Sequence, residues 1–314
     1  AAEEWFEHLG KGGSASPTSV KVACERYVEH LRDDKGDKAA DDAKARFARN
    51  VYSDQKLSGV ELGNLTKAHV LAWRKKLKEK PVVIGKGKKR VERSRSASAL
   101  NRDMTPLRAA LNLACENGLV TVDQAWRTPL KPIKNADKRR DVYLDHGQRR
   151  ALVRHARADV ANFLRGLSLL PLRPGALAAL TVRNFDKRLM TLTVGKDKNG
   201  ADRKISLPAA TGAFIAAQTK AKLPSAPLLG REDGKPWDKD AWKYPVKEAA
   251  GAAKLSSSVT AYSIRHSVIT DLIHAGLDSL TVAQLSGTSI AMIEKHYGHL
   301  TKEHARVALA TLHL

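Results

Sequence analysis

The stretch from Arg127 to Tyr143 divides this chain, and the division limits what either side can fold into. Pro129 and Pro132 sit among Arg127, Lys131, Lys134, Lys138, Arg139 and Arg140, with Arg150 just beyond. Proline fixes φ and removes a backbone donor, so the stretch reads as an extended basic linker rather than helix or sheet. The 314 residues then leave an ordinary domain on each side. The expected organisation is a flexible start over residues 1–16, a helical domain over 17–126, the linker over 127–143 and a second domain over 144–314.

Ahead of the linker, apolar residues recur at spacings of three and four, the signature of one-sided helices. Ser16-Pro17-Thr18 opens a helix to about Asp33, with Val20, Cys24, Tyr27, Val28 and Leu31 on one face. Residues 38–52 form a second, around Ala43, Phe47 and Val51. A third starts at Leu65-Thr66, with Val70, Leu71, Trp73 and Leu77 on one side and Arg74, Lys75, Lys76 and Lys78 on the other. The fourth and longest runs from Ser96 to Asn117, with Leu100, Met104, Leu107, Leu111 and Leu113 inward and Gly118 as C-cap. Cys24 and Cys115 lie in such apolar patterns, without metal-ligand spacing, and read as small buried hydrophobes. Nothing points to a disulfide scaffold, so a reducing cytoplasm fits. No apolar run approaches the roughly 18 residues of a spanning helix, so no membrane partner is expected. The chain starts at Ala1 without Met, which leaves open a further N-terminal domain ahead of it.

Charge names the partner. Lys and Arg number 55 against 33 Asp and Glu, a formal +22, and a polyanion such as nucleic acid is the natural complement. Between the third and fourth helices a glycine-containing loop carries Lys86, Lys88, Lys89, Arg90, Arg93 and Arg95 against Glu92 alone. Such a run is ordinarily just solvated. Here it adjoins the basic helix face of Arg74 and Lys75, so phosphate contacts are expected, with Lys138, Arg139 and Arg140 of the linker adding to them.

Beyond the linker, Asp145 can N-cap a helix to about Arg157, and Asp159 to Leu170 forms another. Leu170-Pro171-Leu172-Arg173-Pro174-Gly175 breaks the pattern before a new helix. Met190–Val194 and Arg203–Leu207 alternate as strands around the turn-rich Gly195–Gly200, a hairpin. Residues 210–222 and 238–253 return to helix, and three short helices span Tyr262 to Leu300.

Five separate motifs here resemble, in order and spacing, those of the tyrosine recombinases, or phage-type integrases. They are Leu172-Arg173, Lys196 in the hairpin, Tyr262-Ser263-Ile264-Arg265-His266, Leu285-Ser286-Gly287-Thr288, and His296-Tyr297-Gly298-His299-Leu300. The resemblance covers the whole second domain, and the basic four-helix domain looks like the family's SAM-like core-binding domain. It implies a mainly α fold, with a small antiparallel sheet or hairpin in the catalytic domain. It also implies a site-specific recombinase that cuts and rejoins DNA through a 3′-phosphotyrosine, integrating and excising a mobile element, phage-encoded or bacterial and nucleoid-associated. Double-stranded DNA would be clamped between the domains, with a homotetramer on two DNA sites assembled from free monomers; a need for accessory DNA-bending proteins stays open. The apolar end of the chain, with Val307, Leu309 and Leu312, would pack on a neighbouring protomer or on its own domain.

The chemistry agrees with the residue types. Transesterification needs a nucleophile, stabilisation of the phosphorane charge and an acid for the leaving oxygen. The resemblance makes Tyr297 the nucleophile and Lys196 the acid for the 5′-oxygen. Arg173 and Arg265 would cradle the scissile phosphate, since guanidinium forks match phosphate oxygens. With cations doing this work and the covalent link conserving bond energy, neither metal nor other cofactor is implied. Lys198 competes with Lys196, but placement directly after Val194-Gly195 favours Lys196. His266 reads as a packing residue. The sequence also departs from the pattern. Tyr262 stands where the family carries His or Lys, Thr288 where it carries His or Trp, and Pro174-Gly175-Ala176 lacks the usual acid. Tyr262 and Thr288 can donate hydrogen bonds to a phosphate oxygen, yet neither shuttles protons near neutral pH. A non-catalytic DNA-binding protein on the same scaffold and a type IB-like topoisomerase therefore stay as rivals.

Overall fold

A computed structural model describes residues 18–85, 90–136, 142–195 and 202–300. The expectations for residues 1–16, Lys86, Lys88, Lys89, Lys138, Arg139, Arg140, Lys196, Lys198 and the end of the chain from Thr301 lie outside the described residues. The chain divides into two compact units, residues 1–138 and 139–314.

In the first unit, local signals set the helix ends. Ser19 Oγ accepts from the Val22 amide at 3.3 Å and starts α1 (Val20–Lys35), which stops at Gly36 with φ 80°. After α2 (Asp37–Asn50), Thr66 caps α3 (Lys67–Glu79), and Ser96 caps α4 (Ala97–Glu116). Gly118, just past α4, takes φ 71°, a conformation cheap only for glycine. The apolar stripes meet in one core, where Val20, Cys24, Phe47, Val70, Leu107 and Leu111 are fully or nearly fully buried. Trp73 joins them and donates its indole N–H to the Asn50 carbonyl at 2.6 Å.

Three inward expectations are corrected. Leu71 is 43% exposed, because it lies about 100° around the helix from Val70, off the stripe of Val70, Trp73 and Leu77. Leu113 and Cys115 are only partly buried, flanking Leu111 and Ala114, which hold the centre of their face. The basic loop also contains a sheet absent from the sequence reading. Strands β1 (Val82–Ile84) and β2 (Val91–Arg93) pair antiparallel, with Val82 opposite Arg93. Their burial does not alternate and β2 is wholly exposed, so no period of two betrayed them. In the linker stretch, Leu130 is buried in this unit's core, and the Asn101 side chain bonds both the amide and the carbonyl of Ile133 at 2.8 and 2.9 Å.

The second unit begins with α5 (His146–Arg154), where Asp145 and Gln148 cap each other reciprocally at 2.8 and 3.1 Å. Helix α6 (Ala158–Leu169) runs into the buried Leu170-Pro171-Leu172 and then α7 (Pro174–Ala178), with Pro174 at the favoured first position. A three-stranded antiparallel sheet follows, ordered β3 (Phe185–Asp186), β4 (Thr191–Val194), β5 (Arg203–Ser206), with Leu192 opposite Ile205. The hairpin strands were expected; two-residue β3 is too short to carry a pattern. Helices α8 (Ala209–Thr219), α9 (Lys239–Ala252), α10 (Ala261–His274), α11 (Ser279–Ser286) and α12 (Ile290–Tyr297) complete the unit. Leu192, Val194 and Ile205 share a core with Phe163, Leu167, Ile215 and Ile264. A smaller cluster of Ile269, Ile273, Val282, Ala283, Ile293 and Tyr297 joins α10, α11 and α12. Among the described residues no helix is long and apolar enough to cross a membrane.

Candidate active site

The C-terminal end of α11 is where the site is assembled. The last carbonyls of a helix have no intrahelical partner and sit at the negative end of its dipole, so they attract cations. Asp278 caps the start of this helix, and Gly287 ends it in the left-handed conformation at φ 66°. Arginines from three separate elements donate to the carbonyls at that end. Arg173, at the N-cap of α7, donates to the Gly287 oxygen. Arg265, on α10, donates to the Ser286 oxygen at 2.8 Å and to the Pro171 oxygen. Arg203, on β5, donates to the Gln284 and Leu285 oxygens at 3.0 Å each.

Arg265 is 8% exposed. Burial, with Arg173 and Arg203 adding repulsion against the offsetting influence of Tyr297, pushes its guanidinium down to about 10, which still leaves it a cation at neutral pH. Gly287 suits this position on two counts. Its φ disfavours a side chain, and a Cβ there would come within 2.4–2.6 Å of the Arg203 guanidinium carbon and nitrogens.

Arg203 was missed as a site residue in the sequence reading, although a signal was present. In Arg203-Lys204-Ile205-Ser206 the period of two puts Arg203 on the same face as buried Ile205, and an inward-facing arginine needs a reason.

Tyr297 is the last residue of α12 and is 8% exposed, its ring held by the small cluster between α10 and α12. Its Oη lies 2.9 Å from Nδ1 of His266, and the two rings are 5.1 Å apart at 31°. His266 follows Arg265 on α10, so this helix supports both the buried cation and the partner of the phenol. His266 is therefore more than the packing residue expected. Tyr262 is 39% exposed in the first turn of α10, and Thr288, half-buried, closes α11 with its amide on the Ala283 carbonyl at 3.1 Å. On the same helix as Tyr262, α10, Asp271 is ion-paired with buried Arg149 of α5 and also accepts from the Tyr143 hydroxyl at 2.8 Å.

The sequence-predicted phosphate contacts of the first unit fall into two groups. Lys75, Arg90 and Arg93 are exposed. Arg95 and Arg74 are half-buried and turned inward. Arg95 pairs with Asp103, a carboxylate shared with Arg46 at 2.9 Å, and Arg74 donates to the Pro129 carbonyl at 2.8 Å.

The model of the Phage integrase family matches residues 144–304, just over half of the chain. The chain belongs to the phage integrase family. Its fold is that of solved tyrosine recombinases. The Tn1549 transposon integrase in complex with transposon right end DNA aligns with a TM-score of 0.71 at 18% identity, covering 94% of this chain and 99% of that one. A lambda integrase dimer bound to a COC′ core site aligns at 0.66 and 14% identity, over 93% and 80% of the two chains. A lambda integrase tetramer bound to a Holliday junction gives 0.62 and 14%, over 87% and 78%. A sequence search of curated proteins found no match. At these identities the structural likeness carries the fold, while membership rests on the family match.

Proposed function

We propose that this integrase-family protein is a site-specific DNA recombinase that cleaves and rejoins DNA strands through a 3′-phosphotyrosine at Tyr297, integrating and excising a mobile element. The observation that carries the reading is the convergence of Arg173 and Arg265 on neighbouring carbonyls, with the Tyr297 hydroxyl tied to the residue after Arg265. Two forked cations from different elements make a cradle for a phosphate that duplex DNA presents, and they stabilise charge as it develops in the phosphorane. Tyr262 and Thr288 add hydrogen-bond donors to that phosphate, and Lys196 protonates the departing 5′-oxygen. Duplex DNA, engaged by both units, and a tetramer on two DNA sites complete the assembly, in line with the DNA-bound integrases to which the chain is similar.

The test is covalent trapping. Duplexes enriched from a randomised pool by binding supply a site, and a nicked version of it lets the cleaved end escape. A protein–DNA adduct should survive denaturation, with the modified peptide containing Tyr297. Specific binding without adduct would assign the non-catalytic DNA-binding alternative. Relaxation of supercoiled DNA without a preferred site would assign a topoisomerase.

The basic loop has its own expected result. Replacing Lys88, Lys89 and Arg90 by Ala should lower DNA affinity at low salt and flatten the dependence of log affinity on log salt by about 2–3, close to 0.9 for each lost phosphate contact. Titrations at several salt concentrations measure this slope, and an unchanged slope would reduce the loop to solvated charge.

A further inference from the structure

Strand cleavage by a tyrosine requires that the phenol lose its proton, and the positions where the family carries proton-handling groups hold Tyr262 and Thr288 instead. The structure supplies a different group. We propose that His266 is a catalytic residue, taking the proton of Tyr297 in cleavage and returning it in rejoining; this rests on the recombinase reading above.

The geometry meets the first requirement of a general base, because Nδ1 and Oη are 2.9 Å apart, inside hydrogen-bond reach. The rings lie 5.1 Å apart and tilted at 31°, so the contact is held by packing as well as by the bond. Both partners are set on rigid elements. His266 is in the middle of α10, and Tyr297 is pinned by Ile269, Ile273, Val282 and Ile293. Tyr297 as a whole is 8% exposed, so its ring is held in the protein. The ordinary values, about 10 for a phenol and about 6.5 for an imidazole, leave an uphill transfer in isolation. The cationic Arg265 next along the helix, with Arg173 and Arg203 near it, favours the phenolate, and the forming bond to phosphorus draws its charge away.

The step balances. In the reactive tautomer the imidazole is neutral, with its proton on Nε2 and its Nδ1 lone pair facing Oη. The Oη–H bond breaks and the proton passes to Nδ1 as the Oη–phosphorus bond forms. The bond from phosphorus to the 5′-oxygen breaks, and that oxygen leaves with a proton from a separate ammonium donor, the role proposed for Lys196. In rejoining, the 5′-hydroxyl returns its proton to that amine and attacks phosphorus, and the imidazolium Nδ1–H protonates the departing Tyr297 oxygen.

The test uses the full chain, the nicked duplex and single-turnover adduct formation. His266→Ala should slow adduct formation by about 10²–10⁴-fold, with DNA affinity and melting temperature close to wild type. His266→Gln keeps a hydrogen-bonding group that cannot take a proton and should be equally slow. Placing 3,5-difluorotyrosine at position 297, whose phenol is more acidic, should recover much of the loss in His266→Ala. Sulfur in place of the bridging 5′-oxygen, which relieves only the leaving-group side, should not. Wild-type adduct with His266→Ala at full rate would overturn this inference alone. Full recovery by His266→Gln, or none by the fluorinated tyrosine, would reduce His266 to a positioning residue. No adduct from wild type would remove the recombinase reading and this inference together.

Discussion

Arg265→Ala should reduce covalent adduct formation by about a thousandfold or more, the scale on which transition-state donors and phosphoryl-stabilising arginines act. Overall DNA affinity should change little, because the chain carries 55 Lys and Arg that share the electrostatic work. The two effects separate because Arg265 is 8% exposed and faces the end of α11, whereas non-specific affinity comes from exposed cations. Arg265→Lys is the informative companion. It keeps the charge, but one of the guanidinium's nitrogens holds both the Pro171 and Ser286 oxygens and leaves the others for a phosphate, which a single ammonium cannot do, so it should recover only part of the rate. Single-turnover trapping gives the rate and a binding titration gives the affinity. Cleavage at wild-type speed in Arg265→Ala would take Arg265 out of the site.

Asp271→Ala should destabilise the second unit by about 2–3 kcal/mol, less than the cost of breaking a fully buried ion pair because the Asp271 side chain is 22% exposed. Arg149 is 5% exposed, and the Asp271 carboxylate is its ionic partner as well as the acceptor for the Tyr143 hydroxyl. Without it a guanidinium stays buried beside groups that offer it only weaker contacts, the Asp145 carbonyl and a His146 nitrogen. For a unit of this size the melting temperature should fall by about 4–12 °C, measured by calorimetry. A fall of less than about 2 °C would mean that the pair is energetically neutral. The variant also bears on the site, because Asp271 ties α5 to the helix that carries Arg265 and His266.

Much of the fold was legible because its signals are local. Helix starts near Thr66, Ser96 and Asp145 were legible ahead of apolar stripes, and a stop at Gly118, whereas the first helix is capped by Ser19 rather than opened by Ser16-Pro17-Thr18. Leu71 misled because its neighbours on the chain are not its neighbours on the helix surface. Strands β1 and β2 were hidden because neither buries a face, and β3 because two residues cannot show a period.

The site divides along the same line. The sequence alone determined the residue types, and the order of its motifs pointed to the family: two arginines, a tyrosine at the end of a short helix, and a glycine where α11 must stop. Only the tertiary structure decided that Arg203 joins Arg173 and Arg265, and that His266 meets the Tyr297 hydroxyl. The physical reason is separation. Arg203 reaches carbonyls 81 and 82 residues away, and His266 reaches a phenol 31 residues away. Contacts of that range are set by how α10, α11 and α12 pack against one another and against β5, which no local spacing encodes.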